Sequence, residues 1–213
     1  YNYLFENNFT NFSNSVDITN TSSDQNNLPN EYALFFGNIA PWKGIEVLVE
    51  ATKIVTDNLG EKFNLVIAGT PYDGYHSYFN QLISERNSSI KLINRYIESN
   101  EIPGFIKSSR FLILPYTESF QHSASGIIPL AYTFSKPVVV SSIEPLKEYV
   151  EHDRTGLIFK SGDSKQLASC IIELVENYSK CSDMGRNAHE KMLREMSLEL
   201  CCEVLNTLYN IKE

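Results

Sequence analysis

Three short stretches carry residue types suited to an anionic, hydroxyl-rich ligand. Lys43 stands six residues after Gly37, in a loop leading from an apolar run into a helical pattern. An ammonium there reaches a phosphate lying over a sheet edge, where a helix N-terminus adds partial positive charge. The plain alternative is an exposed loop lysine. Ser125-Gly126-Ile127 opens a second helical pattern. The first N–H groups of a helix have no partner within it and can take an anion, and glycine lets a ligand approach the backbone. Here the alternative is a simple N-cap with Pro129 in the first turn. Glu118 follows an apolar strand, where a carboxylate can accept hydrogen bonds from sugar hydroxyls; most loop acids are only solvated. Gln121, His122 and Ser123 share its loop, and His122 has no partner at a fixed spacing. Trp42, beside Lys43, reads as packing rather than as a stacking platform.

These residues need a frame. The run from Arg110 to Ser141 reads as strand, loop, helix, strand: Phe111 to Tyr116, Thr117 to Gly126, Ile127 to Phe134, Pro137 to Val140. Two parallel strands joined by a helix form a right-handed crossover, and ligands bind where strand ends meet helix starts. Upstream, Tyr32 to Gly37, Phe63 to Ala68 and Ser89 to Ile93 read as strands. Between them lie helices from Gly44 to about Asn58, with Gly60 as C-cap, and around Tyr75 to Glu85. A short helix from Ser99 to Ser108 is interrupted early by Pro103 and Gly104. Downstream come a helix Pro145 to Val150, a strand Thr155 to Phe159 and a helix to about Tyr178, for which Ser161-Gly162-Asp163 offers an N-cap. Two more helices follow, Ser182 to Leu193 and Ser197 to Asn210. Six strands alternating with helices predict an α/β domain: a doubly wound, Rossmann-like parallel sheet with helices on both faces.

The first thirty residues differ, being crowded with Asn, Ser and Thr without periodicity. The parse is a linker or partly ordered extension over 1–28 and one domain over 29–213, cut from something longer. Net charge is −8, from 18 basic and 26 acidic side chains, so no nucleic-acid footprint is expected. No apolar run approaches the roughly 20 residues that span a bilayer. Cys170, Cys181, Cys201 and Cys202 lack metal-ligand spacing and read as reduced thiols of a cytoplasmic protein.

Taken in order, FFGNIAPWKGIEVLVEA, FNLVIAG, NRYIESNEIPGFIKSSRFLILPY, SGIIPLAYTFSKPVVVS and EYVEHDRTGLIF resemble the donor-binding, C-terminal half of a GT-B glycosyltransferase of the large retaining family, family 4. The resemblance implies one half of a GT-B fold that holds a UDP-sugar or GDP-sugar and works without a metal or other cofactor. It implies that Lys43 contacts the diphosphate, with Gly37 giving it room. Backbone groups at Tyr96 and Ile97 would hold the base, N–H groups at Ser125, Gly126 and Ile127 would cradle phosphate, and Glu118 would meet the donor sugar. Lys43 and Glu118 would be the catalytic pair. The family commonly has an arginine before the lysine; Asn38 and Ala40 stand in its place, which implies weaker donor binding, or replacement by Arg95 or by a residue of another domain. A second glutamate is also common in the family, and Gly126 and Leu130 occupy the positions where it would be sought. An N-terminal acceptor-binding domain would complete the enzyme, which would transfer sugar to a glycan or lipid-linked acceptor, in the cytoplasm or at the inner face of the membrane. The fragment alone is expected to be inactive. The rival readings are a non-catalytic nucleotide-sugar-binding or scaffold subunit and, more thinly, a GT-B epimerase.

Overall fold

The computed structural model describes residues 27–84, 88–120 and 125–195. Six parallel strands form one sheet: β1 (Tyr32–Phe36), β2 (Leu65–Ala68), β3 (Ile90–Ile93), β4 (Ser109–Leu114), β5 (Val138–Ser141) and β6 (Gly156–Phe159). Their order is β3-β2-β1-β4-β5-β6. The central strands are apolar runs without polar alternation once past Ser109 and Arg110 at the start of β4, and β2, β4 and β5 are buried almost throughout. Strands covered on both faces need that composition.

Among the described residues, seven α-helices connect and cover the strands: α1 (Ile45–Leu59), α2 (His76–Ser84), α3 (Ile102–Ser108), α4 (Ile127–Thr133), α5 (Glu144–Lys147), α6 (Ser164–Glu176) and α7 (Tyr178–Glu195). The amphipathic α1 buries Ile45, Leu48, Val49, Ala51 and Val55 and packs against α2 and α6. On the other side α3 packs on β1 and β4, and α4 packs on α7. The chain moves outward from β1 through β2 to β3, then returns and moves outward through β4 to β6; the right-handed crossovers that parallel strands favour would then put the helices of the two halves on opposite faces. The order in which strands are added therefore reverses between β1 and β4, the place where doubly wound folds bind ligands beyond the strands' carboxyl ends. The expected fold class is the observed one.

Some boundaries differ from expectation. Pro103 does not interrupt a helix begun at Ser99. It lies in the first turn of a helix that begins at Ile102, where its missing N–H costs nothing. The penultimate helix starts at Tyr178 rather than Ser182. Asp163 caps α6 as expected, its carboxylate accepting from the Gln166 N–H at 2.9 Å. Arg110 closes the other end of α6, donating to Leu174 O at 2.8 Å and Val175 O at 3.2 Å. Cys170 and Cys181 are free thiols, both pushed up by burial. Most of the expected N-terminal extension, the last expected helix, and Cys201 and Cys202 lie outside the described residues.

Candidate functional site

The site is built from the two loops at the reversal. After β1 the chain passes Gly37, whose φ of 123° needs a residue without Cβ. A Cβ built on Gly37 would meet nothing within 4 Å, whereas one on Gly69, after β2, would lie 2.0 Å from Gly37 O. The two strand ends therefore touch along the sheet while the space over Gly37 stays open. Asn38 is exposed and Ala40 fully buried. Pro41–Lys43 forms one turn of 3₁₀ helix, closed by Gly44 at φ 66°.

Gly44 sets how close the loops come. A Cβ there would lie 1.9 Å from Pro115 O, so the loop after β1 rests on the carbonyl that ends β4. The Thr117 N–H donates to Trp42 O at 3.0 Å, joining the loops a second time. Tyr116 and Phe120 follow β4 with ring centroids 4.7 Å apart. The Lys43 ammonium lies 3.8 Å from the Tyr116 centroid and 4.7 Å from that of Phe120. Ring faces attract a cation, but they do not replace its hydration, and burial lowers the Lys43 pKa from 10.5 to about 8.

The Tyr116 hydroxyl is 3.4 Å from Ser125 Oγ, and Ser125 leads through Gly126 into α4. The Ser141 hydroxyl, at the end of β5, donates to Tyr116 O at 2.5 Å. One aromatic residue thus stands between the lysine and the start of α4. Ser125 is buried, Gly126 exposed and Ile127 half-buried. Glu118 is exposed in the turn from Thr117 to Phe120, where the Phe120 N–H donates to Thr117 O at 2.9 Å. Lys43 and Ser125 therefore both meet Tyr116, with Glu118 two residues further along its chain and Gly126 and Ile127 directly after Ser125. Gln121, His122 and Ser123 lie outside the described residues.

Beyond β3, Tyr96 is exposed and Ile97 buried. Arg95, one of the alternatives offered for the absent arginine, is committed elsewhere: its guanidinium meets the Glu101 carboxylate at 2.7 and 2.8 Å and Tyr96 O at 3.0 Å. Trp42 packs edge-on against Tyr72 and Tyr75, with centroids 5.7 and 5.4 Å away, which agrees with its packing role. The sequence reading missed Tyr116 and Phe120 as site residues. Tyr116 reads as the last residue of an apolar strand, and only the aromatic pair flanking Glu118 hints at more. Among the described residues, no three His, Cys, Asp or Glu side chains are placed to hold a metal ion, and no helix is long and apolar enough to cross a membrane.

Comparison with known proteins places this geometry in a family. The chain is 26% identical over 180 residues to an uncharacterized glycosyltransferase of Methanocaldococcus jannaschii, covering 84% of this chain and 47% of that protein. It is 23% identical over 207 residues to the capsular polysaccharide biosynthesis glycosyltransferase CapM of Staphylococcus aureus, covering 93% of this chain and 53% of that one. The chain spans about half the length of these curated relatives. Its fold matches that of HepE from Anabaena in complex with UDP and glucose, with a TM-score of 0.71 and 20% identity over 85% of this chain and 49% of that one. The sequence model described as Glycosyl transferases group 1 matches residues 18–191, through β1 to β6 and both loops of the site. The chain belongs to the glycosyl transferases of group 1.

Proposed function

We propose that this chain is the donor-binding half of a retaining, family 4 glycosyltransferase, which holds a nucleotide diphosphate sugar over the carboxyl rim between β1 and β4. The observation that carries the reading is the Lys43 ammonium over Tyr116, at the reversal of strand order and beside the start of α4. In this reading the diphosphate lies between Lys43 and the Ser125-Gly126-Ile127 turn, with Gly37 leaving room and Asn38 at the rim. Tyr96 and Ile97 present backbone groups to the base, and Glu118 meets the sugar. Lys43 then does its chemistry as charge develops on the leaving diphosphate. A desolvated cation held beside that charge stabilises the transition state more than the ground state. The reading assigns this task to the side chain and the helix start rather than to a metal ion. The HepE complex with UDP and glucose supports a nucleotide-sugar donor, and the name of CapM supports a glycan acceptor in polysaccharide assembly.

The acceptor and a second domain complete the proposal. GT-B enzymes react in a cleft between two domains, so residues 1–213 alone should bind donor and transfer nothing. The whole enzyme would act in the cytoplasm or peripherally at the inner face of the membrane. A second reading, a nucleotide-sugar-binding subunit without turnover, is favoured by one observation: Asn38 and the buried Ala40 supply no second charge beside Lys43. Titration calorimetry with UDP and GDP tests the donor site, and binding of neither nucleotide would overturn it. Sugar transfer by residues 1–213 alone would overturn the dependence on a second domain. In a protein that includes the acceptor half, Lys43→Ala should lower kcat/KM by about tenfold or more; unchanged turnover would favour the second reading.

A further inference from the structure

We infer that Arg95 and Glu101 form a clamp that fixes the Asn94–Glu98 loop beyond β3 for the nucleoside of the donor. The inference rests on the donor-binding reading above and names two positioning residues for it. The Glu101 carboxylate is only 8% exposed, among the least accessible charged groups described. It accepts from Arg95 Nη1 at 2.8 Å and Nη2 at 2.7 Å, and from the Glu98 N–H at 3.0 Å. Arg95 Nη1 also donates to Tyr96 O at 3.0 Å. Glu98 O in turn accepts from the Glu101 N–H at 2.9 Å and the Ile102 N–H at 3.3 Å. The loop is closed on itself at both ends, with its first anchor at the Arg95 N–H and Ile93 O, 3.1 Å apart.

The geometry does more than hold a surface loop together. A two-toothed arginine–carboxylate pair fixes direction as well as distance. Here it turns the chain so that Ile97 is 5% exposed, buried under the loop, while the Tyr96 ring stands 65% exposed at the rim. The backbone between them is then presented in one conformation at the end of a strand two places from Lys43 in the sheet. Recognition through backbone groups is only as good as the order of that backbone, because a loose loop must be ordered at the moment of binding. The pair also explains where the positive charge of Arg95 goes: it supports the loop and not the diphosphate.

The two ends of a nucleotide separate this role from a general loss of folding. The full chain, Glu101→Gln and Arg95→Leu are titrated with UDP, GDP and inorganic pyrophosphate, with folding checked by circular dichroism. Both variants should bind the parent's preferred nucleotide tenfold or more weakly and pyrophosphate within twofold of the parent. Arg95→Lys, which keeps charge but loses the second tooth, should fall between and serves if the other variants do not fold. Nucleotide affinity unchanged in the folded variants, or an equal loss for nucleotide and pyrophosphate, would overturn the clamp. A parent that binds pyrophosphate but neither nucleotide would instead remove the donor-binding reading, and the clamp's purpose with it.

Discussion

Lys43→Met keeps the length of the side chain and deletes its charge, so it separates what the lysine costs from what it does. Holding the ammonium's pKa at about 8, against 10.5 for an ordinary lysine, amounts to roughly 3 kcal/mol against the charged form at neutral pH. Partial access to solvent lowers that figure, and the two ring faces return on the order of 1 kcal/mol. A net cost on the order of 1–2 kcal/mol remains. The folded pKa lies below the unfolded one, so the unfolded chain binds more protons between pH 8 and 10.5, and the lysine's contribution to stability improves across that window. Below pH 8 the full cost is present. Lys43→Met should therefore be more stable than the parent at pH 7, with the difference shrinking as pH approaches 10. Urea denaturation followed by circular dichroism at pH 7 and 9.5 reads both numbers. On the proposed reading a diphosphate offsets this charge, so the same variant should bind UDP or GDP at least tenfold more weakly. Parent affinity should itself decline above pH 8, as the free lysine loses its proton. A variant no more stable than the parent at pH 7, or a stability difference that ignores pH, would refute the claim that the lysine is a strained cation held for a ligand.

Further outcomes follow from single contacts. Gly44→Ala places a methyl group 1.9 Å from Pro115 O at a positive φ, so it should cost about 2 kcal/mol or more and weaken nucleotide binding, as thermal melting and calorimetry would read together. Arg110→Ala removes two hydrogen bonds to the last carbonyls of α6 and should cost about 1–2 kcal/mol in urea denaturation, with nucleotide affinity unchanged. Glu118→Gln, in a protein carrying the acceptor half, should lower kcat by tenfold or more while nucleotide affinity of the domain stays within twofold, because the proposed reading assigns this exposed side chain to the sugar and not to the diphosphate.

The strands were legible because burial on both faces leaves an unbroken aliphatic run, as in Leu112 to Leu114 and Val138 to Val140. The helix α1 was legible from its spacing of Leu48, Val55 and their neighbours. Boundaries were weaker where one residue serves two roles: Pro103 both prevents a helix upstream and starts the one it belongs to. Which of the alternatives for the absent arginine holds was not legible at Arg95, because sequence shows a charge and not its partner. Glu101 claims that charge six residues later, across a chain reversal that no periodicity announces.

What the sequence determined by itself is the alternation of strand and helix and the chemical kinds at the loops: a lysine, an exposed acid, a Ser-Gly helix start. Periodicity and turn chemistry are local, so local order sufficed. Strand order was decided only by the tertiary structure. It sets β4 beside β1, although two strands intervene in sequence, and so brings Lys43 onto the ring of Tyr116. The lowered pKa of that lysine belongs to the same level, because desolvation depends on which groups crowd the ammonium and not on which residues precede it.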